Sequence, residues 1–273
     1  MTLPHLIAVD LDGTLLGTDK RVSARTRAAV AAAAEAGHHV VAVTGRSRAS
    51  AVPLLASTPE IDCIVGSNGA YAHRVPTGHL DWSRPIRAAE ADVWINAIRT
   101  ELPDAAVGWE SDGGIIYEPE FLALVGDPKT IDPGEPGTEP LAGALYKLFV
   151  RTPSIKGRDL QALVADLLAG IAEVSTSGVP FVEVTATGVD KGSALERIAR
   201  ALDLPMTRTI AFGDNHNDVP MFRAAGVAVA MGNAVPEVHA LVDRVAPPNT
   251  ADGVAVVLEE MLGYGMRLRK SIS

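Results

Sequence analysis

Apolar residues in this chain follow two rhythms. The first is a short, mainly apolar run that stops at small and polar residues. Residues 6–9 run into Asp10-Leu11-Asp12-Gly13-Thr14, residues 40–43 into Thr44-Gly45-Arg46, and residues 61–65, broken only by Asp62, into Gly66-Ser67-Asn68-Gly69. Late in the chain, residues 209–212 end at Gly213-Asp214-Asn215-His216-Asn217-Asp218, and residues 227–230 at Met231-Gly232-Asn233. Runs of four or five residues without polar alternation suit strands buried on both faces of a parallel sheet. The stretches between them read as helices: one from an N-cap at Ser23 to a stop at Gly37, one over 47–56, and one over 193–202. Two more, over 236–241 and 253–262, follow the last strands. Strand and helix in alternation predict βαβ units with right-handed crossovers, hence an α/β, Rossmann-like, doubly wound core.

The second rhythm occupies the middle of the chain, where glycine-terminated strand ends disappear. A helix is expected over 88–100, then a hairpin of 105–109 and 114–117 turned at Ser111-Asp112-Gly113. Prolines and glycines over 127–140 predict a surface loop. A strand over 145–150, a helix over 154–168 and strands over 171–175 and 180–185 complete an α+β segment. The expected division is a core of residues 1–73 and 188–273 and an inserted α+β domain of 74–187.

Composition narrows the picture. Hydrophobic residues make up 47% of the chain and aromatics only 4%, so the core is expected to be aliphatic. A formal net charge of −9 argues against a nucleic-acid binder, which needs a concentrated basic surface, so any phosphate-bearing ligand has to be gripped locally. The single cysteine, Cys63, excludes an intrachain disulfide, fits a reducing cytoplasm, and lies in an apolar run that suits a buried thiol better than a nucleophile. Neither a signal peptide nor a membrane span is expected. The basic segment 267–273 reads as a frayed tail. Oligomeric state is left open by the sequence.

In a parallel sheet the carboxyl ends of the strands share one edge, which brings the polar stops of the first rhythm together. Two acids one residue apart, Asp10 and Asp12, repel unless a cation or a shared proton relieves them, although Asp-x-Asp-Gly is also what a polar turn looks like. Asp214 and Asp218 add carboxylates, and Mg²⁺ prefers two or three such ligands with water completing its shell. Thr44 offers a hydroxyl and Lys191 a positive charge at the start of a helix; with backbone amides at glycine turns they form a grip for phosphoryl oxygens. Plain alternatives remain: Lys191 as a surface partner of Asp214, Thr44 as a cap, and Asp19, Asp112 and Asp190 as turn acids. Trp82, Trp94 and Trp109 read first as packing, with Trp109 the one to test as a substrate contact.

These motifs, in this order, resemble the haloacid dehalogenase-like hydrolases, and among them the Cof-type phosphatases that carry a large cap after the third strand. Asp10 to Thr14, Thr44-Gly45-Arg46, Lys191-Gly192 and Gly213 to Asp218 match the four family motifs. Ser67-Asn68-Gly69-Ala70, residues 230–234 and Asp252-Gly253-Val254 also sit where that subgroup carries such sequences. The resemblance implies a Mg²⁺-dependent phosphatase of a small phosphorylated metabolite, such as a sugar phosphate, with substrate choice made by the cap. It makes Asp10 the nucleophile that forms an aspartyl-phosphate and Asp12 the general acid and base. It implies that Asp10, the backbone carbonyl of Asp12 and Asp214 hold the metal with Asp218 orienting them, and that Thr44, Gly45, Lys191 and Asn217 hold the transferring oxygens. Arg46 is left between substrate and cap, and His216 at a variable position facing solvent or cap. A phosphohexomutase using the same covalent step, or a non-catalytic phosphometabolite-binding module, are the alternative functions.

Overall fold

A computed structural model describes residues 4–125, 131–177 and 179–263 of the chain. The expected basic tail and residues 127–130 of the expected loop lie outside these. The chain divides into two compact units, one running to Asp81 and resuming at Asp190, the other Trp82–Val189.

The first unit opens with β1 (Leu6–Val9), α1 (Ala24–Glu35), β2 (His39–Val43), α2 (Arg48–Leu54) and β3 (Cys63–Gly66). All four residues of β1 are buried, as an apolar run without alternation requires. Ser23 caps α1 by accepting the Thr26 amide N–H, and Ser47 caps α2 by accepting that of Ser50. Two strands then depart from the parallel rhythm: β4 (Tyr71–Arg74) runs antiparallel to β3, and β5 (Leu80–Ser83) follows at the sheet edge. Their half-exposed His73, Arg74 and Asp81 mask a strand pattern in the sequence.

The second unit holds β6 (Ile86–Arg87), α3 (Ala88–Glu101), β7 (Ala106–Ser111), β8 (Gly114–Tyr117), α4 (Pro119–Leu124), β9 (Glu135–Pro136), β10 (Ala144–Arg151), α5 (Gly157–Leu167), β11 (Ala172–Ser175) and β12 (Val182–Ala186). Its sheet runs β11-β12-β10-β7-β8-β9, and β10 pairs antiparallel with both β12 and β7. Each face has its own apolar cluster. Trp94, Ile98, Trp109, Leu148, Leu160 and Val184 share one; Tyr117, Phe121, Phe149 and Phe181 belong to the other. Trp109 and Trp94 are thus packing residues in an apolar core.

The chain returns through α6 (Lys191–Ala201), β13 (Thr209–Gly213), α7 (Val219–Ala224), β14 (Val227–Ala230), α8 (Pro236–His239), β15 (Arg244–Val245) and α9 (Gly253–Gly263). The sheet order β15-β14-β13-β1-β2-β3-β4-β5 places β1 beside β13, parallel, with Val9 level with Phe212. That register sets Asp10 next to the β13 end and supplies its amide with the Phe212 carbonyl at 3.0 Å. The α/β fold expected from the first rhythm is present. The core of the first unit is mainly aliphatic, with Ile7, Val9, Ile64, Ile210 and Val229 fully or almost fully buried. The second unit departs from that expectation with Trp94, Trp109 and the cluster of Tyr117, Phe121, Phe149 and Phe181. Truncating a buried isoleucine such as Ile7 to alanine costs on the order of 2–5 kcal/mol.

Candidate active site

The loop after β1 is a wide turn. Amide N–H groups of Leu15 and Leu16 donate five residues back, to the carbonyls of Asp10 and Leu11 at 3.1 and 2.9 Å. Such irregular turns recur at functional sites because they re-aim side chains within a few residues. Gly13 makes the turn possible, with φ +73°, and a Cβ there would lie 2.1 Å from Asp214 Oδ2. A glycine is therefore needed twice over, for conformation and for space.

Asp10 is 6% exposed, and its Oδ1 accepts from Lys191 Nζ at 2.8 Å. The same Nζ donates to Asp218 Oδ1 at 2.6 Å, and Lys191 is wholly buried. The alternative of Lys191 as a surface partner of Asp214 is therefore wrong. Lys191 is the first residue of α6, which begins two residues ahead of the expected 193, with Asp190 as N-cap accepting from the Ser193 amide at 2.7 Å. Gly192 lets this end of α6 approach α7, since a Cβ there would fall 2.4 Å from the Pro220 carbonyl oxygen.

Asp218 uses its other oxygen, Oδ2, to accept the amides of Asp214 and Asn215 at 2.8 and 3.0 Å. Both of its oxygens are therefore engaged in holding neighbours. Carboxylate oxygens of Asp10, Asp214 and Asp218 lie within 4.8 Å of one another. Burial raises the Asp10 carboxyl well above its ordinary range; Lys191 opposes the rise, and Asp218 and Asp214 add to it. Burial likewise pushes Asp214 up to about 7, with the Asp218 charge next in weight. Burial disfavours a charged Lys191, yet Asp10 and Asp218 outweigh it and keep the ammonium charged. Three close carboxylates against one ammonium, two of them driven toward protonation, are a donor set of hard oxygens suited to a divalent cation.

Asp12 points elsewhere. Its oxygens accept from Arg46 Nε at 2.5 Å and Nη2 at 2.8 Å, and from Lys20 Nζ at 2.6 Å. Burial works to raise this carboxyl, but hydrogen bonds and charge from Arg46, then Lys20, overcome it and hold Asp12 below the usual range. Arg46 is thus a partner of Asp12. Lys20 went unread in the sequence; it has a left-handed φ of 59° in a turn where its amide donates to the Gly17 carbonyl at 3.0 Å.

Thr44 is buried and its Oγ1 accepts the Arg46 amide at 3.1 Å, so it shapes its own turn while its hydroxyl proton stays available. At Gly45, a Cβ would stand 3.0 Å from Asn68 Oδ1 and 3.7 Å from Asn217 Nδ2. Asn217 is 7% exposed, and its Nδ2 donates to Asn68 Oδ1 at 3.1 Å. His216 is half-buried in the same loop. Asn233 braces the first loop by donating to the Gly13 carbonyl at 2.8 Å, and its Oδ1 accepts the Asn249 amide. That brace had no signal beyond the motif resemblance, because it joins loops more than 200 residues apart in the chain.

Residues 7–258 match the sequence profile described as haloacid dehalogenase-like hydrolase. The chain is similar to the 5-amino-6-(5-phospho-D-ribitylamino)uracil phosphatase YitU of Bacillus subtilis, 29% identical over 95% of this chain and 98% of the relative. It is also similar to the pyridoxal phosphate phosphatase YbhA of Escherichia coli, 28% identical over 92% of this chain and 96% of the other. Among solved structures, a haloalkanoate-superfamily phosphatase from Bacteroides thetaiotaomicron superposes with a TM-score of 0.82 at 24% identity, over 96% of both chains. The chain belongs to the haloacid dehalogenase-like hydrolases, as an enzyme of their Cof-type phosphatase branch.

Proposed function

We propose that this enzyme is a Mg²⁺-dependent phosphatase that hydrolyses a small phosphorylated metabolite, such as a sugar phosphate or similar monoester, through an aspartyl-phosphate on Asp10. The observation that carries the reading is the wholly buried Lys191 ammonium held between Asp10 and Asp218, with Asp214 close by. The related enzymes named for a ribitylamino-uracil phosphate and for pyridoxal phosphate support a small, phosphorylated, polar substrate.

Asp10 attacks phosphorus with one carboxylate oxygen while Lys191 fixes the other, which sets the direction of attack. Thr44, the Gly45 turn, Lys191 and Asn217 hold the transferring oxygens in this reading. Mg²⁺, held by Asp10, the Asp12 backbone carbonyl and Asp214, would supply the positive charge that lets a carboxylate approach a phosphate dianion. Asp218 keeps its neighbours in register through the Asp214 and Asn215 amides. Asp12 protonates the leaving oxygen and then takes a proton from water. Arg46 and Lys20 keep Asp12 ionised in the free enzyme, so its acid half requires that clamp to loosen while Asp12 takes up a proton from solvent. The proton later taken from the attacking water restores this protonated form for the next turnover.

The test is a panel of phosphate esters incubated with purified enzyme, with Mg²⁺, with chelator, and with Mg²⁺ restored. Release of inorganic phosphate that chelation stops and Mg²⁺ restores is the expected result. Isomerised hexose phosphate without phosphate release, or binding of one ester without turnover, would replace this reading.

A further inference from the structure

Ser67-Asn68-Gly69, at the end of β3, carries three consecutive left-handed residues, with φ of 49°, 56° and 112°. All three are buried. Two of them are not glycine, and a left-handed backbone is costly for residues with a Cβ, asparagine being the type that tolerates it best. Such strain persists only where the surroundings enforce it, and it gathers at functional sites.

The segment touches every loop that supplies the phosphoryl grip. The Asn68 amide donates to the Thr44 carbonyl at 3.0 Å, and the Ser67 amide to the Arg46 carbonyl at 3.0 Å, tying it to the loop after β2. Asn68 Oδ1 accepts from Asn217 Nδ2 at 3.1 Å, tying it to the loop after β13. Gly69 lies against the residue before Lys191, where a Cβ would stand 2.4 Å from the Asp190 carbonyl oxygen. Gly45 has no side chain to push the Asn68–Asn217 pair apart. Asn217 Oδ1 is buried with no hydrogen-bond partner among the described residues, so Asn68 fixes this amide through its nitrogen.

We propose that Asn68 is a positioning residue of the phosphoryl grip: its side-chain oxygen sets the rotation of the Asn217 amide, and its backbone holds Thr44 in register with it. Asn68 acts through Asn217 and Thr44, and the inference rests on the assignment of those two residues to the transferring oxygens. With an acceptor at position 68, Asn217 turns its nitrogen inward to Asn68 and keeps its second N–H to donate to an anion. Without that acceptor the amide is free to present its oxygen, which repels a phosphoryl group.

Asn68→Gly separates positioning from folding, because glycine adopts the left-handed backbone without strain and keeps the amide N–H bond to Thr44. It should weaken binding of inorganic phosphate, measured by calorimetry with Mg²⁺ present, about tenfold, the scale of one hydrogen bond to a charged group. KM for any ester the enzyme turns over should rise in step, and the variant should still unfold cooperatively, at a melting temperature above that of Asn68→Ala. Asn217→Ala should weaken phosphate similarly, and Asn68→Gly added to it should change little further. Asn68→Ala should lose both phosphate affinity and melting temperature. Wild-type phosphate affinity in Asn68→Gly, or effects of the two single substitutions that multiply in the double variant, would overturn the inference. So would an Asn217→Ala variant that binds phosphate normally. A wild type that binds phosphate but hydrolyses no ester refutes the phosphatase reading separately, leaving the calorimetric comparison to judge Asn68.

Discussion

Lys191 and Lys147 are both buried, one in each unit, and their settings are opposite in kind. Lys147 lies in the middle of β10, its Nζ 2.7 Å from Glu183 Oε1 on the neighbouring antiparallel strand and 4.8 Å from the centre of the Phe149 ring. Residue 147 stands level with Glu110 on β7, and Phe149 level with Glu183 on β12, so lysine, ring and acids share one face of a hydrogen-bonded ladder. Lys191 instead starts a helix and reaches acids 181 and 27 residues away, on two loops at strand ends. An ion pair carried by paired strands is fixed by the backbone and fits a role in register; one assembled from loops is fixed only by its own contacts and lies where ligands enter an α/β sheet. The comparison teaches that burial of a charge does not mark a site. Where the backbone places it does.

The largest effect that sharpens this contrast is expected from Lys191→Met. Steady-state kinetics should show turnover reduced by about a thousandfold or more, since in the proposed reaction the variant removes a charge that meets the developing transition state in a buried site. Lys147→Met should instead appear in chemical denaturation as a loss of about 3–5 kcal/mol, because it leaves Glu183 buried without its cation. Replacing Glu183 as well, Lys147→Met with Glu183→Leu, should recover part of that loss, with Glu110 still buried on the same face. If Lys147→Met removed turnover as completely as Lys191→Met while leaving stability intact, the contrast would be broken.

A smaller effect follows from pH. With no cation bound, Asp214 titrates at about 7, raised by burial and the Asp218 charge, so proton and cation compete for it. Mg²⁺ affinity by calorimetry should fall by about tenfold or more per pH unit as the pH drops below 7, because Asp10 is raised as well and adds a second competing proton. Metal-free protein should show the opposite sign in stability. A folded carboxyl with a raised pKa holds a proton that the unfolded chain releases, so acidification from above 7 toward the ordinary carboxyl range adds stability at this group. Comparison with Asp214→Asn isolates the contribution.

The contrast also explains what the sequence revealed. Strands β1, β2, β3, β13 and β14 were legible because a strand covered on both faces has no polar position to blur its ends. The antiparallel strands β4 and β5 were not, because Arg74 and Asp81 pair on a half-exposed edge and interrupt the apolar signal. Among site residues, the acids were visible because they stop two of the apolar runs at strand ends, and Lys191 because it opens a helix at a Lys-Gly pair. The clamp of Arg46 and Lys20 on Asp12, and the tie of Asn68 to Asn217, were invisible because a shared sheet edge says which loops gather but not which side chains meet. Lys147 was hidden for the converse reason: mid-strand polarity reads as a solvent-facing position, whereas this face is covered by a second apolar cluster.

The central claim, that Asp10 carries the phosphoryl group, is tested most directly by trapping it there. Wild-type enzyme mixed with a labelled ester that it turns over, then quenched rapidly in acid and mapped by peptide, should carry one phosphoryl group on the peptide containing Asp10. Asp10→Asn should carry none and release no phosphate while unfolding cooperatively like the wild type. Label on a different residue, or near-normal turnover by Asp10→Asn, would contradict the account.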